Sequence, residues 1–198
     1  MRQYKVKVLK PGYSQWIKPD KLRASGTITL VYGNINIIVD TGGPCDKLAL
    51  LDVLAGEGLT PDDIMYVVCT HGHSDHIGNN NLFPEAIFIV SHDISQGDCY
   101  TLHDFNREPY FIDNDVEVIA TPGHTKQDVS VIVRSNRGTV AIVGDLFECE
   151  SDLEQEDIWK NMSEFPEEQE ANRKMILEIA EFIIPGHGSE FLTEKYKP

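Results

Sequence analysis

Residues 70 to 76 read T-H-G-H-S-D-H, so three of the chain's seven histidines fall within six positions, as His71, His73 and His76, with Asp75 among them. They follow the apolar run Met65–Cys69 directly. The pattern recurs along the chain. V-I-A-T-P-G-H closes a run with His124, V-A-I-V-G-D closes one with Asp145, and F-I-I-P-G-H closes one with His187. Each of these side chains follows the C-terminal end of an apolar, β-branched run, after a Gly or Pro-Gly turn. They can act together only if those strand ends gather on one edge of a sheet. That requirement constrains the fold more than any other feature, because sites are built on loops held by a rigid scaffold.

Imidazoles and carboxylates clustered in this way are ligands of first-row metals. His71 and His73, two positions apart, share a face of a strand or converge from a loop, and Gly72 leaves the backbone free to turn between them. A lone His124 or His187 would more often be a turn residue. Their matching P-G-H turns beside the cluster reverse that expectation.

The apolar runs Tyr4–Leu9, Gly26–Tyr32, Ile35–Val39, Met65–Cys69, Ala86–Val90, Val116–Ala120, Val129–Arg134, Thr139–Val143 and Phe182–Ile184 read as strands. Gly33-Asn34 marks a hairpin turn and Ser135–Gly138 another. Helical spacing appears over Asp46–Ala55 and Pro166–Glu181. In the second, Pro166 can start the helix, and Ala171, Met175, Ile176, Ile179 and Ala180 supply an apolar stripe. Residues 91–115 read as a long loop. Strands mixed with helices predict a layered α/β protein, a single domain over residues 1–198.

At 41% hydrophobic and 25% charged residues the composition is that of a globular chain. M-R-Q-Y-K-V-K-V-L-K has no apolar core of a signal peptide, and no run reaches the roughly 18 apolar residues of a membrane helix. Cys45, Cys69, Cys99 and Cys149 show no C-x-x-C spacing, which suits free thiols in the cytoplasm or nucleus. A net charge of −15 argues against general nucleic-acid binding. The charge is uneven, however. Residues 1–25 carry Arg2, Lys5, Lys7, Lys10, Lys18, Lys21 and Arg23 against Asp20 alone, a net of +6, which leaves −21 on the remainder. Such a segment is either an edge hairpin defended by lysines or a local anion-binding patch. The run Glu148–Glu170, with ten carboxylates and Lys160 alone opposing them, reads as a solvated helical face.

T-H-G-H-S-D-H, T-P-G-H-T, G-D and P-G-H-G, in that order, resemble the metallo-β-lactamase superfamily, from V-D-T-G at Asp40 to His187. The resemblance implies a four-layer αββα sandwich. It implies one metal on His71, His73 and His124, a second on Asp75, His76 and His187, and Asp145 bridging them, with Asp40 holding the ligand loop from behind. From the residues alone, a turn-forming role for Asp40 before Gly42-Gly43 is equally open. A tighter resemblance to one branch of the family is carried by G-G-P-C-D, T-H-G-H-S-D-H-I-G-N, L-F-P-E-A, V-S-H-D, Q-D-V-S-V, G-D-L-F-E and I-P-G-H-G. It implies a homodimeric two-zinc endoribonuclease acting on the 3′ end of histone precursor RNA, in cytosol and nucleus.

Two metals can hold a bridging hydroxide as nucleophile at neutral pH, with Asp75 holding or relaying its proton. Asp145 stands where several true metallo-β-lactamases use Cys, which disfavours antibiotic hydrolysis and suits phosphodiester or thioester cleavage. Nitrogen and oxygen ligands suit zinc, and also iron or manganese. For RNA, Lys18, Lys21 and Arg23 are candidate phosphate contacts, Trp16 a candidate base-stacking residue or core residue, and His92 a candidate substrate contact or turn histidine. His103 reads as surface loop and Cys69 as strand core. Two other classes compete. One is a thioester hydrolase like glyoxalase II, or its single-iron persulfide dioxygenase cousin, whose helical substrate domain follows the last ligand where only eleven residues follow His187 here. The other is a metal-bound interaction protein without turnover, disfavoured by the complete ligand set.

Overall fold

The computed structural model describes residues 4–197; Arg2 of the basic segment lies outside them. In chain order the strands and helices are β1 (Lys5–Lys10), β2 (Tyr13–Lys18), β3 (Lys21–Ser25), β4 (Ile28–Tyr32), β5 (Ile37–Val39), α1 (Lys47–Gly56), β6 (Tyr66–Cys69), β7 (Ile87–Val90), β8 (Asp93–Gln96) and β9 (Cys99–Thr101). There follow β10 (Tyr110–Asp113), β11 (Val116–Ala120), β12 (Val129–Ser135), β13 (Gly138–Gly144), the single turn α2 (Asp157–Lys160), α3 (Pro166–Ile179), β14 (Phe182–Pro185) and β15 (Phe191–Leu192). One sheet has the order β1-β4-β5-β6-β7-β8-β9 and the other β10-β11-β12-β13-β14-β15, while β2 and β3 form a separate hairpin.

Strand alternation builds the layers. Ile37, Val39, Val68 and Ile89 of the first sheet meet Val129, Val131, Val133, Val140, Ile142 and Ile184 of the second in one buried cluster. The intervening Ile38, Val67 and Cys69 face the other way and pack with Leu50 and Leu54 of α1. Ile132, Ala141, Val143 and Ile183 face outward from the second sheet and pack with Ile176 of α3 and with Ala180. The central strands are thus apolar on both faces, which is why they read as continuous runs. The result is an αββα sandwich.

Three expectations are corrected by this arrangement. Residues 91–115 hold β8, β9 and β10 rather than a long loop. Those strands have three or four residues each; Ile94 is buried in β8 whereas β9 is wholly exposed, so no alternation long enough to read was present. Gly97, at φ 59°, makes the tight turn between β8 and β9. The inward face of α3 carries Gln169, Arg173 and Ile176, whereas Ala171 and Ile179 are exposed. Two polar side chains point inward because their partners are backbone carbonyls beside Asp145. The acidic run is also not one solvated face, since Glu148 and Asp152 are buried and Asp152 pairs with Arg173 at 2.6 Å.

Among the described residues no helix is long and apolar enough to cross a membrane, and the four cysteines are unpaired. Leu50 has no exposed surface whereas Leu48, on the same helix, is 73% exposed. Leu50→Ala should therefore cost about 2–5 kcal/mol of unfolding free energy, and Leu48→Ala less than about 0.5 kcal/mol. Urea denaturation of both variants checks this layer assignment.

Candidate metal centre

The strand ends do meet. β5 runs parallel to β6, β13 parallel to β14, and β11 runs the same way as β13 across antiparallel β12. Their C-terminal ends therefore share one edge of the sandwich. The two sheets are tied there by Val129 N–H to the Thr70 carbonyl at 2.9 Å and Thr27 N–H to the Gly186 carbonyl at 2.7 Å. Close approach explains two glycines. Gly144 sits at φ 54°, and a Cβ on it would overlap Thr70; a Cβ on Gly186 would overlap the Asp145 carboxylate.

His71, His73, His124 and Asp145 each offer a donor atom within 4.8 Å of the others, and so do Asp75, His76 and His187. In the first group His73 Nδ1 lies 2.9 Å from His71 Nε2 and 3.0 Å from His124 Nε2. Asp145 joins the groups: its Oδ2 lies 3.6 Å from His71 Nε2, 3.4 Å from His124 Nε2 and 3.2 Å from His187 Nε2, and its Oδ1 lies 3.2 Å from His76 Nε2. Asp75 Oδ2 is 3.8 Å from His187 Nε2 and 4.0 Å from His76 Nε2. All seven predicted ligand residues are thus brought together.

The far sides of the rings set their tautomers. Asp40 accepts the Thr70 backbone N–H at 2.8 Å on Oδ1, and the Thr70 hydroxyl at 2.9 Å and His76 Nδ1–H at 2.7 Å on Oδ2. With its hydroxyl hydrogen directed at Asp40, Thr70 Oγ1 accepts from His71 Nδ1–H at 3.1 Å. His187 Nδ1–H donates to the Ser25 carbonyl at 3.2 Å. Each of these rings therefore turns its Nε2 lone pair inward. An acceptor for the outer ring N–H is the usual way a protein orients a metal-binding imidazole. Asp40 therefore serves one histidine of each group, directly for His76 and through Thr70 for His71. It holds an unusual backbone for a non-glycine residue, φ 57°, fixed by its N–H to the Val68 carbonyl at 2.8 Å.

The donor chemistry fits a cation. His76 Nε2 and Asp145 Oδ1 are buried, face each other and have no hydrogen-bond partner. Burial would lower the pKa of His76, but Asp145 and Asp40 outweigh it and raise it well above the usual imidazole range. Burial would likewise raise that of Asp145, but the imidazoles of His76, His187 and His71 hold it well below the usual carboxylate range. The field that draws a proton to these nitrogens also draws a metal ion, and the two compete for the same lone pairs. His71 is held well below the usual range by burial and then by His76, which favours the neutral, lone-pair form.

Two residues escaped the sequence reading. Thr70 precedes the histidines in T-H-G-H and gave no sign of its hydroxyl relay. Glu148 is buried, and burial followed by the nearby Asp145 pushes its carboxyl up to about 8; its Oε2 lies 3.9 Å from His187 Nε2. The expected substrate residues are less uniform. Trp16 is 59% exposed on β2 rather than packed in the core, because β2 and β3 stand apart from both sheets. In the hairpin register Trp16 faces Leu22 and Gln15 faces Arg23, so Arg23 points to the opposite side from Trp16, against Tyr13. Lys18 and Lys21 pair at the hairpin tip. His92 stacks on Phe105 at 5.0 Å, and half-buried His103 bonds the Glu108 carbonyl at 3.0 Å.

The Metallo-beta-lactamase superfamily model matches residues 23–187. The chain is 45% identical over 197 residues to metallo-beta-lactamase domain-containing protein 1 of Xenopus laevis, covering 98% of this chain and 83% of that protein. It is 41% identical over 232 aligned residues to the Homo sapiens protein of the same name, covering 98% and 85%. Among solved structures, a Thermotoga maritima protein of the metallo-beta-lactamase type superposes with a TM-score of 0.73 at 22% identity, covering 96% of this chain and 100% of that one.

Asp40→Ala removes the acceptor for both His76 and Thr70. Losing such an outer partner costs about 10–100-fold in metal affinity, and chelator competition on the folded variant should show a loss of at least that size.

Proposed function

The chain belongs to the metallo-β-lactamase superfamily, and from that premise we propose that it is a binuclear metal-dependent hydrolase that cleaves phosphodiester bonds in RNA. The observation that carries the hydrolase reading is the pair of ligand groups sharing Asp145. His71, His73 and His124 would hold one ion and Asp75, His76 and His187 a second, with Asp145 beside histidines of both groups. Zinc is the ion we propose, on a donor set of imidazole and carboxylate that iron and manganese also accept. When bound, such a pair lowers the pKa of a coordinated water and supplies positive charge to the oxygen under attack.

The residues supply the rest. Asp40 and Thr70 keep His71 and His76 in the tautomers that face inward. Asp75, 21% exposed on its side chain, is the carboxylate of the cluster best placed to meet solvent and to take and return a proton during attack. No serine or cysteine nucleophile is needed.

RNA as substrate is supported by the hairpin. It lies within the chain's net-basic segment, and Trp16 and Leu22 line a cavity of about 440 Å³ that Glu148 and His187 also line. Lys18 and Lys21 at its tip offer phosphate contacts, whereas Arg23 does not share the Trp16 face. We place the protein in the cytosol or nucleus, in keeping with its unpaired thiols, and propose that it works as a homodimer.

Elemental analysis should find about two ions per chain, mainly zinc, and Asp145→Ala should lose at least one of them together with hydrolysis. A single tightly held iron would overturn the binuclear reading. Single-stranded RNA and S-lactoylglutathione assayed in parallel decide the substrate class, with cleavage of the RNA alone expected.

Lys18→Glu with Lys21→Glu should weaken RNA cleavage mainly through KM and lower the salt slope by about 0.7 for each phosphate that is no longer neutralised. Arg23→Glu should leave that slope unchanged. Metal content should not change in either variant.

A further inference from the structure

The cavity beside His187 has two walls of unlike origin. Trp16 and Leu22, directly opposite each other in the β2–β3 register, form one. Ile158 and Met162, on α2 and just beyond it, contribute to the other. Trp16 is 59% and Met162 37% exposed, so large apolar side chains on both walls are left uncovered. Its volume of about 440 Å³ falls within the range of small-molecule sites.

The charge of the lining narrows what can enter. No Lys or Arg lines the cavity, whereas Glu148 and Asp157 do. An anionic group, phosphate included, would meet Asp157 and no Lys or Arg there, and His187 is already engaged by Asp145 and the Ser25 carbonyl, so the part of a substrate that fits is uncharged. An alkyl chain would satisfy the apolar walls. It would leave the Asn161 amide and the Ser14 hydroxyl, which also line the cavity, without a polar partner from the ligand. A ring with an apolar face and polar edges meets both demands. Its face would lie on Trp16, and its polar edge would meet the Asn161 amide and the Ser14 hydroxyl.

We propose that this cavity is a nucleobase subsite, in which one unpaired base of the substrate strand stacks on Trp16 while its sugar-phosphate backbone stays outside, towards Lys18 and Lys21 at the hairpin tip. The inference rests on the RNA reading and deepens it. It divides the work: the hairpin tip holds phosphate, the cavity holds base, and His187 and Glu148 connect the cavity to the metal ligands. Stacking on an aromatic side chain tolerates any base because every base has a π-face, so the subsite selects unpaired strands over duplexes rather than one sequence.

Tryptophan fluorescence provides a test that does not depend on hydrolysis. Of the two tryptophans, Trp159 is only 2% exposed, so a ligand in the cavity reports through Trp16. Adenosine and uridine, which carry no phosphate, should quench the protein's emission, and ribose 5-phosphate should not. In binding titrations with a short single-stranded RNA, Trp16→Ala should weaken affinity about tenfold or more, with Trp16→Phe retaining most of it. Both substitutions sit on an exposed hairpin strand, and circular dichroism verifies the fold. The proposal is overturned if ribose 5-phosphate quenches as well as the nucleosides do. It is equally overturned if an octanoyl ester quenches while nucleosides do not, or if Trp16→Ala binds RNA as the unaltered protein does. Nucleoside quenching in a protein that hydrolyses no RNA would sink the activity and keep the subsite. RNA hydrolysis that is indifferent to Trp16→Ala would keep the activity and sink the subsite.

Discussion

A carboxylate almost wholly removed from water organises this protein. Asp145 is 5% exposed and has imidazole nitrogens of His71, His76, His124 and His187 within 3.2 to 3.6 Å. A buried charge of this kind is tolerable only beside positive charge. Against burial, Asp145 raises the pKa of His76 and His187, so the positive charge can come as protons on these rings or as metal ions they would hold. Much of the local structure serves to keep these groups in place. Gly186 is small enough to pass the carboxylate, Gly144 turns at a φ that side chains avoid, and both sheets deliver their strand ends to the same edge.

The grip on Asp145 extends outward through α3. Gln169 Nε2–H donates to the Asp145 carbonyl at 2.9 Å, and Arg173 donates to the Leu146 carbonyl at 2.8 Å and to Asp152 at 2.6 Å. The Arg173 guanidinium lies over the rings of Phe147 at 4.0 Å and Trp159 at 4.7 Å. A guanidinium satisfied by a carboxylate, a carbonyl and two aromatic faces is a rigid support. The same helix also reaches the turn that carries His124. Its cap residue Phe165 donates its N–H to the Gly123 carbonyl at 2.8 Å, and Glu164 donates to the His124 carbonyl at 3.1 Å. One helix thus positions the His124 turn and the Asp145 loop together. That explains why its buried face carries Gln169 and Arg173 where an ordinary amphipathic helix would carry apolar residues.

The metal-type residues were legible in the sequence because their chemistry is confined to a few residue types and each stands at the end of an apolar run. The layers were legible for a related reason: strands buried on both faces write long β-branched stretches. What could not be read is the set of groups whose role depends on who stands behind them. Thr70 looks like any strand-end threonine until its hydroxyl donates to Asp40 and accepts from His71. Glu148 and Asp152 look like members of an acidic run until burial removes them from it. The faces of the hairpin could not be assigned either, since a single step of register decides whether Arg23 accompanies Trp16 or opposes it. Strands β8 to β10 were hidden because three or four residues with few apolar positions carry no measurable period.

The uneven charge acquires a physical meaning once the hairpin is placed. An acidic protein repels a polyanion at distances up to the Debye length, about 8 Å at physiological ionic strength. The basic residues of β1 to β3 do not cancel that field as a block. Lys7 is paired with Glu57 and Lys10 with Asp46, while Arg23 faces Tyr13. Lys18 and Lys21 are exposed at the turn, on the hairpin whose Trp16 lines a cavity that no Lys or Arg lines. Such an arrangement offers phosphate lysines at the hairpin tip and no Lys or Arg inside the cavity. For the proposed RNA substrate, it would favour a strand that enters base first, with its charge left in solvent, over a compact anion that must be desolvated whole. The acidity of the body then acts as a filter on how a substrate can approach the metal ligands, rather than as an objection to a polyanionic one.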